Sequence, residues 1–259
     1  MDHFKFTALD CSPENMPVFD SIKMTIFDEN QNLVNDSIIE LIEKRRTVFK
    51  PCREIIYQAN FKSENGKLIS KTRIKLMATG KRWNAQPELQ DEIVIQYEYT
   101  SKDFKRCREY QLNKKLLDHG WSVETITGVR ENVKEVWMHP FRENQFNFTE
   151  VAPFPKILFP LDIGRSWEDT IRIPSGNWGD WENSEIISHY EVTNKETIKT
   201  RYGQIDDCWK IESRSDFRLG KSEFYFWFHE ELGFIRMEYK NYENQTLLIE
   251  LEEVNENDT

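Results

Sequence analysis

Apolar and polar residues alternate with a period of two along most of this chain, most clearly between residues 203 and 254. A strand with one buried face needs this pattern, because neighbouring side chains point to opposite sides of a sheet. Ile205, Asp207, Trp209 and Ile211 fall on one face of a first strand, with Cys208, Lys210 and Glu212 on the other. Phe224, Phe226 and Phe228 alternate with Tyr225 and Trp227. That strand is apolar on both faces, so it is expected to lie centrally, with its second face covered by the 153–160 stretch, a helix, a partner or a ligand. Beyond a polar turn, Gly233 leads into Ile235, Met237 and Tyr239, and a last run sets Leu247, Ile249 and Leu251 on one face. Four strands joined by short turns predict an antiparallel meander.

Upstream, residues 18–27 predict a strand closed by the turn residues Asp28, Asn30 and Asn32. Ser37 followed by Glu40 has the form of a capping box, and Ile38, Leu41, Ile42 and Arg45 then suit a short helix that Pro51 ends. Asn65-Gly66 sits between two alternating runs, as a two-residue type I′ hairpin turn requires. Pairing Glu64 with Lys67 sets Phe61 opposite Ser70, Ala59 opposite Thr72, Tyr57 opposite Ile74 and Ile55 opposite Leu76. All belong to the apolar faces of their strands, so turn and pattern fix the same register. Lys71, Arg73 and Lys75 form a basic stripe on the other face, expected to be solvated.

A third strand follows over residues 92–100, with Ile93, Ile95, Tyr97 and Tyr99 facing in. Leu112, Leu116 and Leu117 suggest a helix stopped by Gly120, and strands return through Val123, Thr125 and Thr127 and over residues 133–138. Pro153, Pro155 and Pro160 punctuate a crossing that suits neither a central strand nor a helix interior. Residues 167–173, 184–192 and 197–202 add strands around a turn-rich loop at 174–183. The fold class read from this is mainly β: a curved antiparallel sheet, a half-barrel or open barrel, with one or two short helices. A single β-rich domain over residues 1–259 is expected, with any subdivision near 150–160 and a frayed tail at 255–259.

Composition adds two constraints. Hydrophobic residues make up only 38% of the 259 while aromatic residues reach 13%, so the core is built from large rings. The formal charge of −10 opposes nucleic-acid phosphate and anionic lipid, which argues against a nucleic-acid partner. No run approaches the roughly 18 apolar residues of a membrane span. The four cysteines, Cys11, Cys52, Cys107 and Cys208, are scattered without a CxxC pair. Free thiols and a cytoplasmic location are therefore expected of the chain as written, and a periplasmic or lipoprotein location if its N-terminus has been trimmed.

Phe159, Pro160, Leu161, Gly164 and Trp167, with Trp227, Phe228, Glu231, Leu232, Gly233 and Phe234, carry a resemblance. In these positions residues 133–254 resemble bacterial β-rich proteins that are similar to the lipoprotein-carrier half-barrel. The resemblance implies a curved antiparallel sheet whose concave face holds apolar ligands. It implies no catalytic residues.

The candidate chemistry is thin. His3, His119, His139, His189 and His229 show no metal-ligand spacing, and no metal site or cofactor is expected. His189 shares a strand face with Glu185 and Glu191, best read as a solvated polar face. Neither GxSxG nor GxGxxG occurs. Asp180, Glu182 and Glu185 lie beside Trp178 and Trp181, an arrangement with the ingredients of a glycoside site. The aromatic excess is the stronger signal, because ligand pockets are concave and mostly apolar. It points to a non-catalytic binding or interaction module for an apolar small molecule or protein partner, with Trp167, Trp178, Trp181, Trp209 and Trp227 as candidate ligand contacts. The alternative is an enzyme acting on a carbohydrate or small aromatic substrate in the same cavity.

Overall fold

The computed structural model of the protein describes residues 3–9, 11, 13, 17–27, 33–113, 121–176 and 178–256. In chain order its strands are β1 His3–Phe4, β2 Phe19–Phe27, β3 Leu33–Glu43, β4 Glu54–Lys62, β5 Leu68–Arg82, β6 Asp91–Tyr97, β7 Tyr99–Thr100 and β8 Glu124–Glu131. There follow β9 Glu135–Met138, β10 Lys156–Leu158, β11 Ser166–Ile173, β12 Ser184–Lys199, β13 Gln204–Phe217, β14 Gly220–His229, β15 Gly233–Lys240 and β16 Thr246–Asn255. Twelve of them build one sheet, in the order β10-β9-β8-β6-β5-β4-β16-β15-β14-β13-β12-β11, with every neighbouring pair antiparallel. The sheet curls until its edges nearly meet. Lys156 of β10 pairs with Asp169 of β11 at 3.1 Å, and the Tyr190 hydroxyl donates to the Phe154 carbonyl at 3.0 Å. This is the expected curved antiparallel sheet, rolled nearly closed.

The meander β13–β16 is present, with β14 inside it. Phe224, Phe226 and Phe228 are fully buried, as are Ile235, Met237, Leu247, Ile249 and Leu251 on the next two strands. The second face of β14 is covered differently from expectation. Trp227 Nε1 donates to Glu196 Oε1 at 2.6 Å, and the cationic ends of Lys210 and Arg236 lie 5.8 and 5.4 Å from its ring centre. Long charged side chains lay their apolar stems over that face. The 153–160 crossing lies on the inner side instead, with Phe159 packed on Phe228. The faces assigned to β13 also need correction. Asp207 adopts φ 59°, at a register shift against β12, so Ile205 and Cys208 both turn inward and Asp207 is exposed.

The hairpin β4–β5 keeps every expected pairing from Phe61–Ser70 to Ile55–Leu76. Its turn is not type I′. Gly66 N donates to Ser63 O and Ser63 N to Lys67 O, both at 2.9 Å, closing a three-residue loop. Only Gly66, at φ 77°, is left-handed there; Asn65 is not. The extra loop residue is cancelled by a register shift between Phe61 and Lys62, which restores the pairing that the apolar faces demand.

Residues 37–45 do not form a helix. Ser37 to Glu43 lie in β3, paired with β2 in a separate two-stranded ribbon. Isoleucine loses χ1 freedom in a helix and fits a strand, and a partner strand was at hand. The turn expected at Asp28, Asn30 and Asn32 lies outside the described residues, as do Leu116, Leu117 and Gly120. A helix does form in that region, but earlier: α1, Ser101–Cys107, capped by Thr100 and Asp103 reciprocally. The strands expected at 184–192 and 197–202 are one continuous strand, β12, carried past 193–197 by two register shifts.

The cysteines overturn the free-thiol expectation in part. Cys11 and Cys52 are joined in a disulfide, while Cys107 and Cys208 are free and buried. The disulfide clips an N-terminal strap over the outside of β5 and β6. Lys75 Nζ donates to Thr7 O at 2.7 Å and pairs with Glu54 at 3.1 Å, and Gln96 Oε1 accepts from Thr7 N at 3.1 Å. Lys75 is therefore buried, whereas Arg73 pairs with Glu98, Glu252 and Glu253. Of the basic stripe, only Lys71 is exposed.

Candidate functional site

The chain's own residues occupy the inner face of the sheet. A 3-10 segment, Asn144–Val151, crosses the interior with Phe146 and Phe148 fully buried. Phe148 stacks on Phe61, ring centres 6.0 Å apart, and meets Tyr239 edge-on at 6.2 Å. Phe146 faces Tyr97 and Phe61, and Phe141 packs on Tyr57. Two amides tie the segment down: Asn144 exchanges hydrogen bonds with the backbone of Ser122 at 2.7 and 3.0 Å, and Gln145 reaches the wall. Gln145 Oε1 accepts from the Tyr99 hydroxyl at 3.0 Å, and its Nε2 donates to Ser70 Oγ at 3.1 Å.

Not every polar group inside is satisfied. The hydroxyls of Tyr97 and Tyr239, both amide atoms of Asn147 and the indole nitrogen of Trp167 are buried without a hydrogen-bond partner. Burial pushes the Tyr97 and Tyr239 hydroxyls well above the usual tyrosine range, so both stay protonated. An unmet polar group in an apolar interior costs about 1–3 kcal/mol. The interior is thus packed by rings but incompletely paired.

The five tryptophans occupy three places. Trp167 lies on the interior wall, stacked on Tyr190 with ring centres 5.3 Å apart. Trp181 is fully buried in a second cluster with Val151, Ile173, Ile186 and Phe217, its Nε1 donating to the Tyr242 hydroxyl at 3.0 Å, and Trp178 packs at that cluster's edge. Trp209 and Trp227 sit on the adjacent strands β13 and β14, each beside a lysine or arginine cation. No single surface gathers all five. The residues that fill the interior, Phe146 and Phe148 with Gln145, were not singled out from the sequence. Their one signal is two phenylalanines two apart in an otherwise polar Asn-Gln-Phe-Asn-Phe-Thr run, too short to read as a strand.

The acidic loop does not converge. Glu182 Oε1 accepts from Trp178 N at 3.3 Å, and Glu185 pairs outward with Arg172 at 2.9 Å. Asp180 lines a separate pocket at one end of the barrel. His189 pairs with Glu168 at 2.7 Å on the outer face, in a groove of about 630 Å³ where Lys221 pairs with Asp216 as well. That groove is charged and largely self-neutralised. His139 follows β9 against Trp137 and Trp83, with Arg142 3.2 Å from its Nδ1. Burial, then the Arg142 and Arg130 charges, lower its pKa to about 3, so it is neutral at ordinary pH and a weak base. Arg142 also binds Glu150 at 2.6 Å, and burial raises the pKa of that carboxyl. Among the described residues no group of three or more His, Cys, Asp or Glu is placed to hold a metal ion, and no helix is long and apolar enough to cross a membrane.

No protein-family model matches this chain, and no curated protein matches its sequence. Two solved structures are similar in outline. One is a candidate exported protein of YmcC-like fold from Bacteroides fragilis, 12% identical, TM-score 0.48, covering 81% of this chain and 98% of that one. The other is a candidate lipoprotein from Parabacteroides distasonis, 11% identical, TM-score 0.45, covering 82% of this chain and 99% of that one. Neither likeness is close enough to carry an inference about this chain.

Proposed function

We propose that the protein is a non-catalytic binding module that takes an apolar guest on its aromatic inner face, in place of its own 144–151 segment. The supporting observation is the occupant itself: a 3-10 segment lying on a wall of rings, with Gln145 as its polar tie to that wall and Asn144 bonded to Ser122 at its start. A 3-10 segment has weaker internal hydrogen bonds than an α-helix, so little regular structure is lost when it moves. The guest is a small molecule or an apolar segment of a protein partner. Trp167 is the tryptophan it reaches first, and Trp178, Trp181, Trp209 and Trp227 belong to the shell around the site. The chain works as one unit, because β16 near its end pairs with β4 near its start.

The test uses the neutral fluorophore N-phenyl-1-naphthylamine with the native protein and with Gln145→Ala, which loosens the occupant. Saturable binding that tightens in the variant is expected. If neither protein binds the probe saturably while both keep native circular dichroism, the reading is wrong. The enzyme alternative requires a convergent acid–base pair on the same wall, whereas Glu150 on the occupying segment is held by Arg142.

We further propose an oxidising compartment as the working environment, since disulfides persist there and are rare in the cytosol. Alkylation of the denatured, unreduced protein should label Cys107 and Cys208 only, and reduction should add Cys11 and Cys52. Four labelled thiols in freshly purified, unreduced material would remove this assignment.

A further inference from the structure

The inner wall of the barrel is not apolar throughout. Ser188 of β12, Ser215 of β13 and Ser222 of β14 stand directly opposite one another across the sheet, and all three are buried. Their strand neighbours His189, Arg214 and Asp216 are exposed, so the serines point inward. Residues opposed in this way have their Cβ atoms about 5 Å apart, so the three hydroxyls form one row. Two residues along the strands in one direction, the wall carries Ile186 and Phe217 of the smaller apolar cluster. In the other direction it carries Tyr190 and Phe224 of the larger one. The serines are therefore a polar band between two apolar regions.

The segment that fills the barrel serves this band poorly. Ser215 Oγ donates to Val151 O, at the end of that segment, over a long 3.5 Å. Ser222 Oγ makes no hydrogen bond, and neither does the Tyr239 hydroxyl. These two groups are neighbours: Tyr239 stacks on Phe224 with ring centres 3.9 Å apart, and Phe224 is the next inward residue after Ser222 on β14. A buried hydroxyl without a partner is costly, and folded interiors rarely leave two side by side. The wall calls for hydrogen bonds that its present occupant does not make. It offers no free charge with them, because Asp169, opposite Ser188 at the end of the row, is held by Lys156 at 3.1 Å. An ionised guest would stay unpaired here, and burying an unpaired charge costs far more than burying a neutral polar group.

We infer that the guest of the barrel is an uncharged amphiphile, an apolar chain ending in a hydroxyl. A hydroxyl both donates and accepts, so one such head meets Ser222 and Tyr239 together. The chain then takes the place of Phe148 against Phe61 and Tyr239. This rests on the apolar-guest reading and narrows it to one class of guest.

Displacement of bound N-phenyl-1-naphthylamine from the full chain by eight-carbon compounds tests it. 1-Octanol should displace the probe, and the double variant Ser222→Ala, Tyr239→Phe should weaken octanol about fivefold or more, the loss that follows one or two neutral hydrogen bonds. Both substitutions delete unpaired oxygens and keep the surrounding packing, so the melting temperature should not fall. 1-Chlorooctane, of similar size but without a hydroxyl, should bind both proteins within about twofold of each other. Octanoate should compete at least about tenfold more weakly than octanol. A purely structural role for the two hydroxyls would shift octanol and chlorooctane alike. The inference is overturned by equal losses for those two, by no loss for octanol, or by octanoate matching octanol. Failure of the probe itself to bind would overturn the apolar-guest reading, and this one with it.

Discussion

The meander β13–β16 and the ribbon β2–β3 are both antiparallel and both carry apolar residues at strand positions, yet they meet opposite environments. In the meander, Phe224, Phe226, Phe228 and Ile249 are wholly buried. In the ribbon, Ile38, Ile39 and Leu41 are more than half exposed, at 58%, 57% and 57%. The difference lies in what stands beside and beneath each strand. Every strand of the meander has two neighbours and an inner layer of rings. The ribbon has two strands and, among the described residues, no second layer, and such ribbons are marginal alone in water.

Its root supplies what its faces lack. Asp20 and Asp91 share Lys44 and Arg82, with contacts of 2.5 to 3.1 Å, and Asn132 Nδ2 donates to Asp20 at 2.9 Å. Asp20 is fully buried, so this cluster fastens the ribbon to β5, β6 and β8 through charge rather than through apolar area. The meander is held by packing and the ribbon by a buried ionic knot at one end.

The sharpest way to break this contrast is to empty one ring position in the meander. Phe226→Ala should lower the unfolding free energy by about 3–5 kcal/mol, read by urea denaturation. A loss no larger than that of a surface change would mean that β14 is not core. Next in size, Asp20→Ala leaves Lys44 and Arg82 facing Asp91 alone. It should cost up to about 3–5 kcal/mol, the range for breaking a buried pair. Hydrogen exchange should speed up at residues 19–23 and 38–43 well before it does in β14; simultaneous release of both regions would show that the knot serves the barrel as much as the ribbon.

Gly66→Val probes a turn at the margin between the two regimes. A Cβ at Gly66 meets no atom within 4 Å, so the cost comes only from its φ of 77° and should be about 1–2 kcal/mol. Asn65→Ala, at a position that is not left-handed, should change melting little; equal costs at both would restore a type I′ turn. The smallest effect belongs to the ribbon. Ile39→Ser should leave stability within about 0.5 kcal/mol, as exposed substitutions do. A loss comparable with that of Phe226→Ala would show that something covers this face in solution.

Local periodicity was enough to place the meander, the inward faces of β6 and the full register of the β4–β5 hairpin. These depend on side chains alternating along one strand or facing each other across one turn, and such relations are written within a few residues of each other. Periodicity misled at residues 37–45, where Ile38, Leu41 and Ile42 carry helical spacing and only the neighbouring β2 selected the strand. It also failed at Asp207, where one left-handed residue at a register shift turns Asp207 out and Cys208 in and leaves no mark in composition.

Tertiary structure alone decided the rest. The Cys11–Cys52 bridge spans 41 residues with no spacing rule to announce it. The ionic knot collects Asp20, Lys44, Arg82 and Asp91 from separate segments, and the pocket that Asp180 lines draws on loops equally far apart. Whether the inner face is open or filled depended on where residues 144–151 fold back. The sequence determined strands and their pairing because those are short-range geometric necessities. Burial, charge pairing and cavities depend on how the whole sheet curls, and a segment's own pattern carries no record of that.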